Sequence, residues 1–291
     1  MAEIISGTEI SRKIQEELKE EITVLKTKGI HPSLSTILVG EDEASKVYIR
    51  QKIKICEKLG VTSFHHKLPA DVQESELLKL IDSLNKDPKV HGILCQLPLP
   101  KHINTDKVLL AISPDKDVDG FHLLNMGKLL SKKSMKEIEE AKMYLPCTPH
   151  GIIQLLRRSN ININGAEAVI VGRSNIVGKP AALLLMAENA TVTICHSNTR
   201  NIGEVTRRAD ILIAAIGKPK FVTADMVKDG VVVIDVGVNR LPEGLCGDVD
   251  FEKVKEKAKA ITPVPGGVGP MTIAMLMVNT VKAAKKSKGI K

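Results

Sequence analysis

Short apolar runs rich in β-branched residues alternate with segments of helical periodicity along almost the whole chain of 291 residues. Residues 35–39, 62–66 and 92–96 predict strands, and residues 44–59 and 74–84, with apolar positions three and four apart, predict helices between them. A second series follows, with strands at 168–171, 191–195, 211–215 and 231–235, a helix at 180–188 among the connections, and a last helix at 271–284. Such alternation implies parallel sheets joined by right-handed crossovers. Runs such as Ala-Val-Ile-Val are apolar on both faces, which a doubly wound sheet requires. Between the two series lies 120–143, where 131–140 is charged and without a strong apolar stripe, and so predicts a linker. The expectation is an α/β fold of two domains.

Composition sharpens this picture in three ways. Hydrophobic residues make up 43% and charged residues 26%, so the chain is globular rather than disordered. Two Tyr, four Phe and no Trp leave the core to aliphatic side chains. The net charge of +8 is largely local: Lys282, Lys285, Lys286, Lys288 and Lys291 fall in the last ten residues, and +8 less those five leaves +3. That remainder suits anionic small molecules. With no basic stripe interleaved with aromatics, nucleic acid is not expected as a partner. The five cysteines are about fifty residues apart and never in a Cys-x-x-Cys pair, which fits a reducing compartment. No 18-residue apolar run occurs, and the first residues carry neither a basic nor an apolar stretch, so a cytoplasmic location and no membrane association are expected.

One segment carries the signal for a dinucleotide. A buried strand ends in Gly172-Arg173-Ser174-Asn175-Ile176-Val177-Gly178-Lys179-Pro180, with glycines that let backbone amides approach a pyrophosphate and Pro180 in the first turn of a helix. The spacing is neither the usual Gly-x-Gly-x-x-Gly nor a P-loop, and a tight strand-to-helix turn with no ligand would look similar. The following strand ends in His196-Ser197-Asn198-Thr199-Arg200, where a site for NAD would place a carboxylate against the ribose 2′-hydroxyl. Arg173, Ser197 and Arg200 can instead receive a 2′-phosphate, so NADP is the expected dinucleotide.

Other candidates lie elsewhere. Tyr48 and Lys52 share a face of the predicted helix 44–59, where burial beside other cations would make a lysine usable as an acid or base. Against this, Lys46, Arg50, Lys52, Lys54 and Lys58 could form a plain solvated face. Gln96 ends a buried strand and is placed to bond a ligand beyond it. Asp117 and Asp119 could begin a metal loop or could make a turn with Asp119 facing a nitrogen-rich ligand. The prolines and glycines of 262–272 make a loop with fixed bends, either functional or a connection between domains. The histidines match no metal-binding spacing, and no metal is expected.

Together the motifs Tyr48-x-x-x-Lys52, Gln96-Leu97-Pro98-Leu99-Pro100, Lys116-Asp117-Val118-Asp119-Gly120, Pro146-Cys147-Thr148-Pro149, Gly172-Arg173-Ser174-x-x-Val177-Gly178, Asp235-Val236-Gly237-Val238-Asn239 and Pro263-Val264-Pro265-Gly266-Gly267-Val268-Gly269-Pro270-Met271-Thr272 occur in one order. In this the chain resembles the bifunctional methylenetetrahydrofolate dehydrogenase/methenyltetrahydrofolate cyclohydrolase family across nearly its whole length. The resemblance implies a folate-binding catalytic domain at 1–144 plus 273–291, a Rossmann-type domain at 145–272, and a folate cleft where they meet. It implies oxidation of 5,10-methylenetetrahydrofolate with NADP and hydrolysis of the methenyl product to 10-formyltetrahydrofolate, in a homodimer paired through the Rossmann domains. Lys52 would be the acid/base of the second step, Gln96 would hold it, Tyr48 would stack on the folate and Asp119 would bond the pterin. Gly172, Arg173, Ser174, Ser197 and Val238 would contact the dinucleotide, and Leu97, Pro263 and Gly267 would join Tyr48, Lys52, Gln96 and Asp119 around the folate. A dehydrogenase lacking the hydrolytic step is the alternative. One departure from the family pattern is 131–142, which is several residues longer than usual.

Overall fold

The computed structural model describes residues 2–242 and 244–290. In chain order its elements are β1 (Glu3–Ile4), α1 (Gly7–Thr27), β2 (Ser33–Val39), α2 (Glu43–Leu59), β3 (Thr62–Leu68), α3 (Glu74–Lys86), β4 (Gly92–Cys95), α4 (Thr105–Ala111), α5 (Leu123–Leu130), α6 (Met135–Glu140) and α7 (Cys147–Arg158). There follow β5 (Glu167–Val171), α8 (Gly178–Ala187), β6 (Thr191–Cys195), α9 (Ile202–Thr206), β7 (Ile211–Ala214), β8 (Val232–Asp235), β9 (Asn239–Leu241), β10 (Gly244–Cys246), α10 (Phe251–Val254), β11 (Ala260–Ile261) and α11 (Val268–Ser287). Each strand expected from the sequence is present within two residues of its expected ends. No helix among the described residues is long and apolar enough to cross a membrane.

The chain divides into two compact units, one of Lys13–Gly127 and Ile273–Lys291, the other of Met1–Arg12 and Lys128–Thr272. The expected boundary at 144/145 differs from this division in two places. Glu3 and Ile4 pair in parallel with Ala260 and Ile261, so the start of the chain adds an edge strand to the second unit. Residues 131–140, expected as a linker, hold α6. Ser134 Oγ accepts the Glu137 N–H, Glu137 Oε2 accepts the Lys133 N–H, and Met135 and Ile138 are buried one turn apart. The Ser-x-x-Glu spacing that starts this helix is legible in the sequence.

The first unit is built on a three-stranded parallel sheet of order β3-β2-β4. All seven residues of β2 and all four of β4 are buried. The chain leaves β2 for β3 on one side and later returns to β4 on the other, so a crevice opens beyond the carboxyl ends of β2 and β4. The second unit carries a six-stranded sheet of order β1-β11-β8-β7-β5-β6, parallel throughout. Here β5 leads to β6 on one side and then to β7 on the other, and the corresponding crevice lies beyond β5 and β7. The apolar runs of β5, β7 and β8 are buried, as strands covered on both faces must be.

Candidate active site

In the first unit, α2 sets the chemistry beside the crevice. Asp42 caps the helix by accepting the Ser45 N–H at 2.8 Å, and Gly60 ends it in the left-handed conformation at φ 73°. Its inner stripe is Ile49, Lys52, Cys56 and Leu59, all buried. Arg50, Lys54 and Lys58 are exposed. The lysines of this helix therefore do not form one solvated face, because Lys52 occupies a position otherwise apolar and is only 7% exposed.

The Lys52 ammonium donates to Gln96 Oε1 at 2.8 Å. Gln96 stands just past β4, and its own Nε2 donates to the Leu97 carbonyl at 2.7 Å. That second bond fixes which end of the amide faces the lysine. Tyr48, one helical turn before Lys52, is half-buried, and burial raises its phenol pKa. The peptide Leu97–Pro98 is cis.

Asp117 and Asp119 separate in role. Ile93 and Asp117 form a parallel bridge and Ile93 N–H donates to the Lys116 carbonyl, so 117–119 runs beside β4. Asp117 is buried and accepts the N–H groups of Gly120, Phe121 and His122 and the side-chain amide of Asn125, at 2.8–3.2 Å. Its oxygens are thus engaged in shaping the turn, which argues for the turn over the metal loop. In the same register Asp119 falls level with Cys95. Burial first, and the Asp119 charge second, push the Cys95 thiol up to about 12.

In the second unit, Gly172 is the tightest point. Its φ is +132°, and a Cβ there would lie 2.1 Å from the Ala215 carbonyl oxygen at the end of β7. A Cβ on Gly178 would lie 2.3 Å from the Gly172 oxygen. The turn between β5 and α8 is therefore open only to glycine at both positions. Ser174 Oγ accepts the N–H groups of Val177 and Gly178, which start α8. Because Val171 pairs with Cys195, Arg173 and Ser197 follow at matching positions beyond two adjacent strands, and both are exposed. No carboxylate ends β6. A cradle open only to glycine, a helix start and two such side chains suit a dinucleotide bearing a 2′-phosphate.

Val238, 47% exposed, follows β8. Pro263 and Gly267 lie between β11 and α11. Thr262 Oγ1 accepts the Asp235 N–H at 2.8 Å, and the peptide Val264–Pro265 is cis. A Cβ on Gly7 would lie 1.7 Å from the Gly267 oxygen, so the start of α1 packs directly on this loop. Lys52 and Gln96 are thus brought together, whereas Pro263 and Gly267 belong to the second unit. Sequence reasoning did not single out Asp235 or Asp248 separately. Both are buried beside glycines, Gly237 and Gly247, whose α-carbons leave no room for a side chain.

The catalytic-domain model of the tetrahydrofolate dehydrogenase/cyclohydrolase family matches residues 5–119, and the NAD(P)-binding-domain model of the same family matches 146–288. The chain is 58% identical over 98% of its length to the whole of the Agathobacter rectalis "Bifunctional protein FolD", and 55% identical, covering 98% of this chain and 99% of the other, to that of Bacillus subtilis. The solved bifunctional FolD of Campylobacter jejuni is 50% identical with a TM-score of 0.93, over 98% of this chain and 99% of that one. The Trypanosoma brucei dehydrogenase-cyclohydrolase, solved with NADP and an inhibitor, is 39% identical with a TM-score of 0.92, over 99% and 98%. With both of its domain models matched and relatives alike from end to end, this chain belongs to the tetrahydrofolate dehydrogenase/cyclohydrolase family.

Proposed function

We propose that this chain oxidises 5,10-methylenetetrahydrofolate to the methenyl cation with NADP and then hydrolyses that cation to 10-formyltetrahydrofolate. NADP, when bound, accepts the hydride that leaves the one-carbon unit. That step moves no proton, so the protein's part is to hold the reactants. Gly172, Arg173, Ser174, Ser197 and Val238 are the residues we assign to the dinucleotide.

The second step adds water to the methenyl carbon, breaks a carbon–nitrogen bond, and releases one proton overall. Both protons must leave the water oxygen as it becomes the formyl carbonyl: one reaches the ring nitrogen that departs and the other is released. The observation that carries the reading is the buried Lys52 amine bonded to Gln96. An ammonium carries three N–H donors, so a lysine oriented by Gln96 can also engage water and substrate. Lys52 is assigned to proton transfer, Gln96 to its orientation, Tyr48 to the flat aminobenzoyl ring and Asp119 to the pterin nitrogens. Leu97, Pro263 and Gly267 are assigned to the folate as well. A dehydrogenase without hydrolysis is disfavoured because Tyr48, Lys52, Gln96 and Asp119 are all present.

The test follows methenyl and formyl products separately with NADP and with NAD. Accumulation of methenylfolate without enzymatic hydrolysis would establish the dehydrogenase alone, and equal efficiency with NAD would remove the 2′-phosphate assignment. The reading includes a homodimer paired through the Rossmann sheets. It is supported by the edge strand β6, which among the described residues pairs with β5 alone and exposes Ile194. Sedimentation as a monomer at micromolar concentration would exclude it. It also includes a cytoplasmic location, which the five free cysteines favour.

A further inference from the structure

Asp235 and Asp248 have no part in the roles assigned above. Asp235 ends β8 and is 3% exposed, and Asp248 is fully buried beyond β10. Asp235 Oδ1 accepts the N–H groups of Gly237 and Asp248, each at 2.9 Å, and its Oδ2 accepts that of Val249 at 3.0 Å. Asp248 Oδ2 accepts the N–H groups of Ile216 at 2.7 Å and Gly217 at 2.9 Å, while its Oδ1 accepts the Asn239 side-chain amide at 2.9 Å. These donors come from three segments: the turn after β7, the loop after β8, and the return at 247–249.

The turn after β7 is the one that meets Gly172, through the Ala215 oxygen. The loop after β8 is held on both sides of Val238, at the Gly237 N–H by Asp235 and at the Asn239 amide by Asp248. Side chains are excluded at the glycines that let the carboxylates in. A Cβ on Gly237 would lie 2.3 Å from Asp248 Cγ, and one on Gly247 would lie 1.8 Å from Asp235 Oδ2.

Burying two carboxylates beside each other costs more desolvation than an apolar pair filling the same space. What the carboxylates supply and an apolar pair cannot is a fixed orientation of peptide groups. In a planar trans peptide the carbonyl points opposite to the next residue's N–H. With the N–H groups of Gly217 and Gly237 turned onto the acids, the carbonyls of Ile216 and Val236 point away from them.

We propose that Asp235 and Asp248 are positioning residues for NADP: they brace the loops after β7 and β8 so that the Ile216 and Val236 carbonyls stand as fixed acceptors for donor groups of the dinucleotide. The proposal rests on the NADP-linked reading above. Asp248→Asn replaces one acceptor oxygen by an amide NH2, a donor, so either the Ile216–Gly217 pair or the Asn239 amide loses its partner. Calorimetry should find NADP bound at least tenfold more weakly, and hydrogen exchange in the dinucleotide-free enzyme should be at least tenfold faster at the Ile216 and Gly217 amides. Hydrolysis of methenyltetrahydrofolate, which uses no dinucleotide, should stay within twofold of the unaltered enzyme. NADP affinity within twofold of normal overturns the brace, and so does a loss of hydrolysis as large as the loss of NADP binding. Asn239→Ala removes one arm and leaves no carboxylate replaced. It should weaken NADP three- to tenfold, and if Asp248→Asn does not fold, unchanged affinity in Asn239→Ala overturns the proposal. Failure of the unaltered enzyme to bind NADP sinks the functional reading instead.

Discussion

Replacing Lys52 by Met keeps the length of the side chain and removes its amine. Gln96 cannot turn to compensate, because its Nε2 is committed to the Leu97 carbonyl, so Oε1 keeps facing the place the ammonium held. An acceptor left without its donor costs about 1–3 kcal/mol. Removing a buried ammonium returns part of its desolvation cost. The two oppose each other, so folding stability should change by no more than about 2 kcal/mol, and the protein should remain folded. Catalysis has no such compensation. A positioned acid or base contributes about 10²–10⁴ in rate, or about 3–5 kcal/mol of barrier. Stopped-flow absorbance of the methenyl chromophore, with separate quantitation of the formyl product, should show hydrolysis slowed by that factor while hydride transfer stays within about tenfold. NADP affinity should be unchanged. Formyl production at the normal rate would refute the role of Lys52, and a parallel loss of NADP affinity would show that the substitution acts through the fold.

Gly172→Ala places a methyl group 2.1 Å from the Ala215 oxygen at a φ of +132°, so the turn must move by about 1 Å against β7; NADP binding should fall at least tenfold with hydrolysis retained, and an unchanged dissociation constant would contradict the cradle. Arg173→Ala should lower the ratio of kcat/KM for NADP over NAD by about tenfold to a hundredfold, whereas an equal loss for both dinucleotides would place Arg173 away from the 2′-phosphate. Burial pushes the Asp235 carboxyl up to about 7, against the pull of its three backbone donors and with the Asp248 charge adding to burial. Its unfolded value is near 3.8, so between about pH 4 and 7 the folded state holds a proton that the unfolded state has lost. Stability from this group is then greatest at the acid end and declines as pH rises to 7, by at most about 4 kcal/mol. Urea unfolding at pH 4.5 and 7.5 should show a smaller decline in Asp235→Asn than in the unaltered protein, and equal declines would refute the shift.

The class of fold and the order of its elements can be read from the pattern of apolar and polar residues. Residues such as 168–171 and 211–214 are too apolar to face water on either side, and their alternation with helical periods leaves only parallel sheets. The pattern also exposed a helix at 74–84, two residues short of α3, whose Leu77, Ile81 and Leu84 recur on one face. The Gly172–Gly178 turn could be read locally, because its glycines act through their own backbone. Lys52, Gln96, Asp119, Arg173 and Ser197 could be picked out as candidates from their placement, but the full set and its roles came only through a resemblance of motifs.

Which polar residues are buried, and what they touch, follows from contacts between segments far apart in the chain. Helical spacing sets Lys52 in line with Ile49, Cys56 and Leu59 rather than with Arg50 or Lys54, but spacing does not give its partner. That partner is Gln96, forty-four positions away, which meets α2 because β4 returns beside β2. Asp117 and Asp119 look alike in the chain, yet pairing with β4 commits the first to the turn. The first residues join the second sheet through a register with Ala260 and Ile261 that no local pattern encodes. Asp235 and Asp248 become a brace only when Gly237 and Gly247 bring their backbones within reach. Periodicity records which way a side chain points relative to its own element, and burial of a charge depends on what the remainder of the chain packs against it.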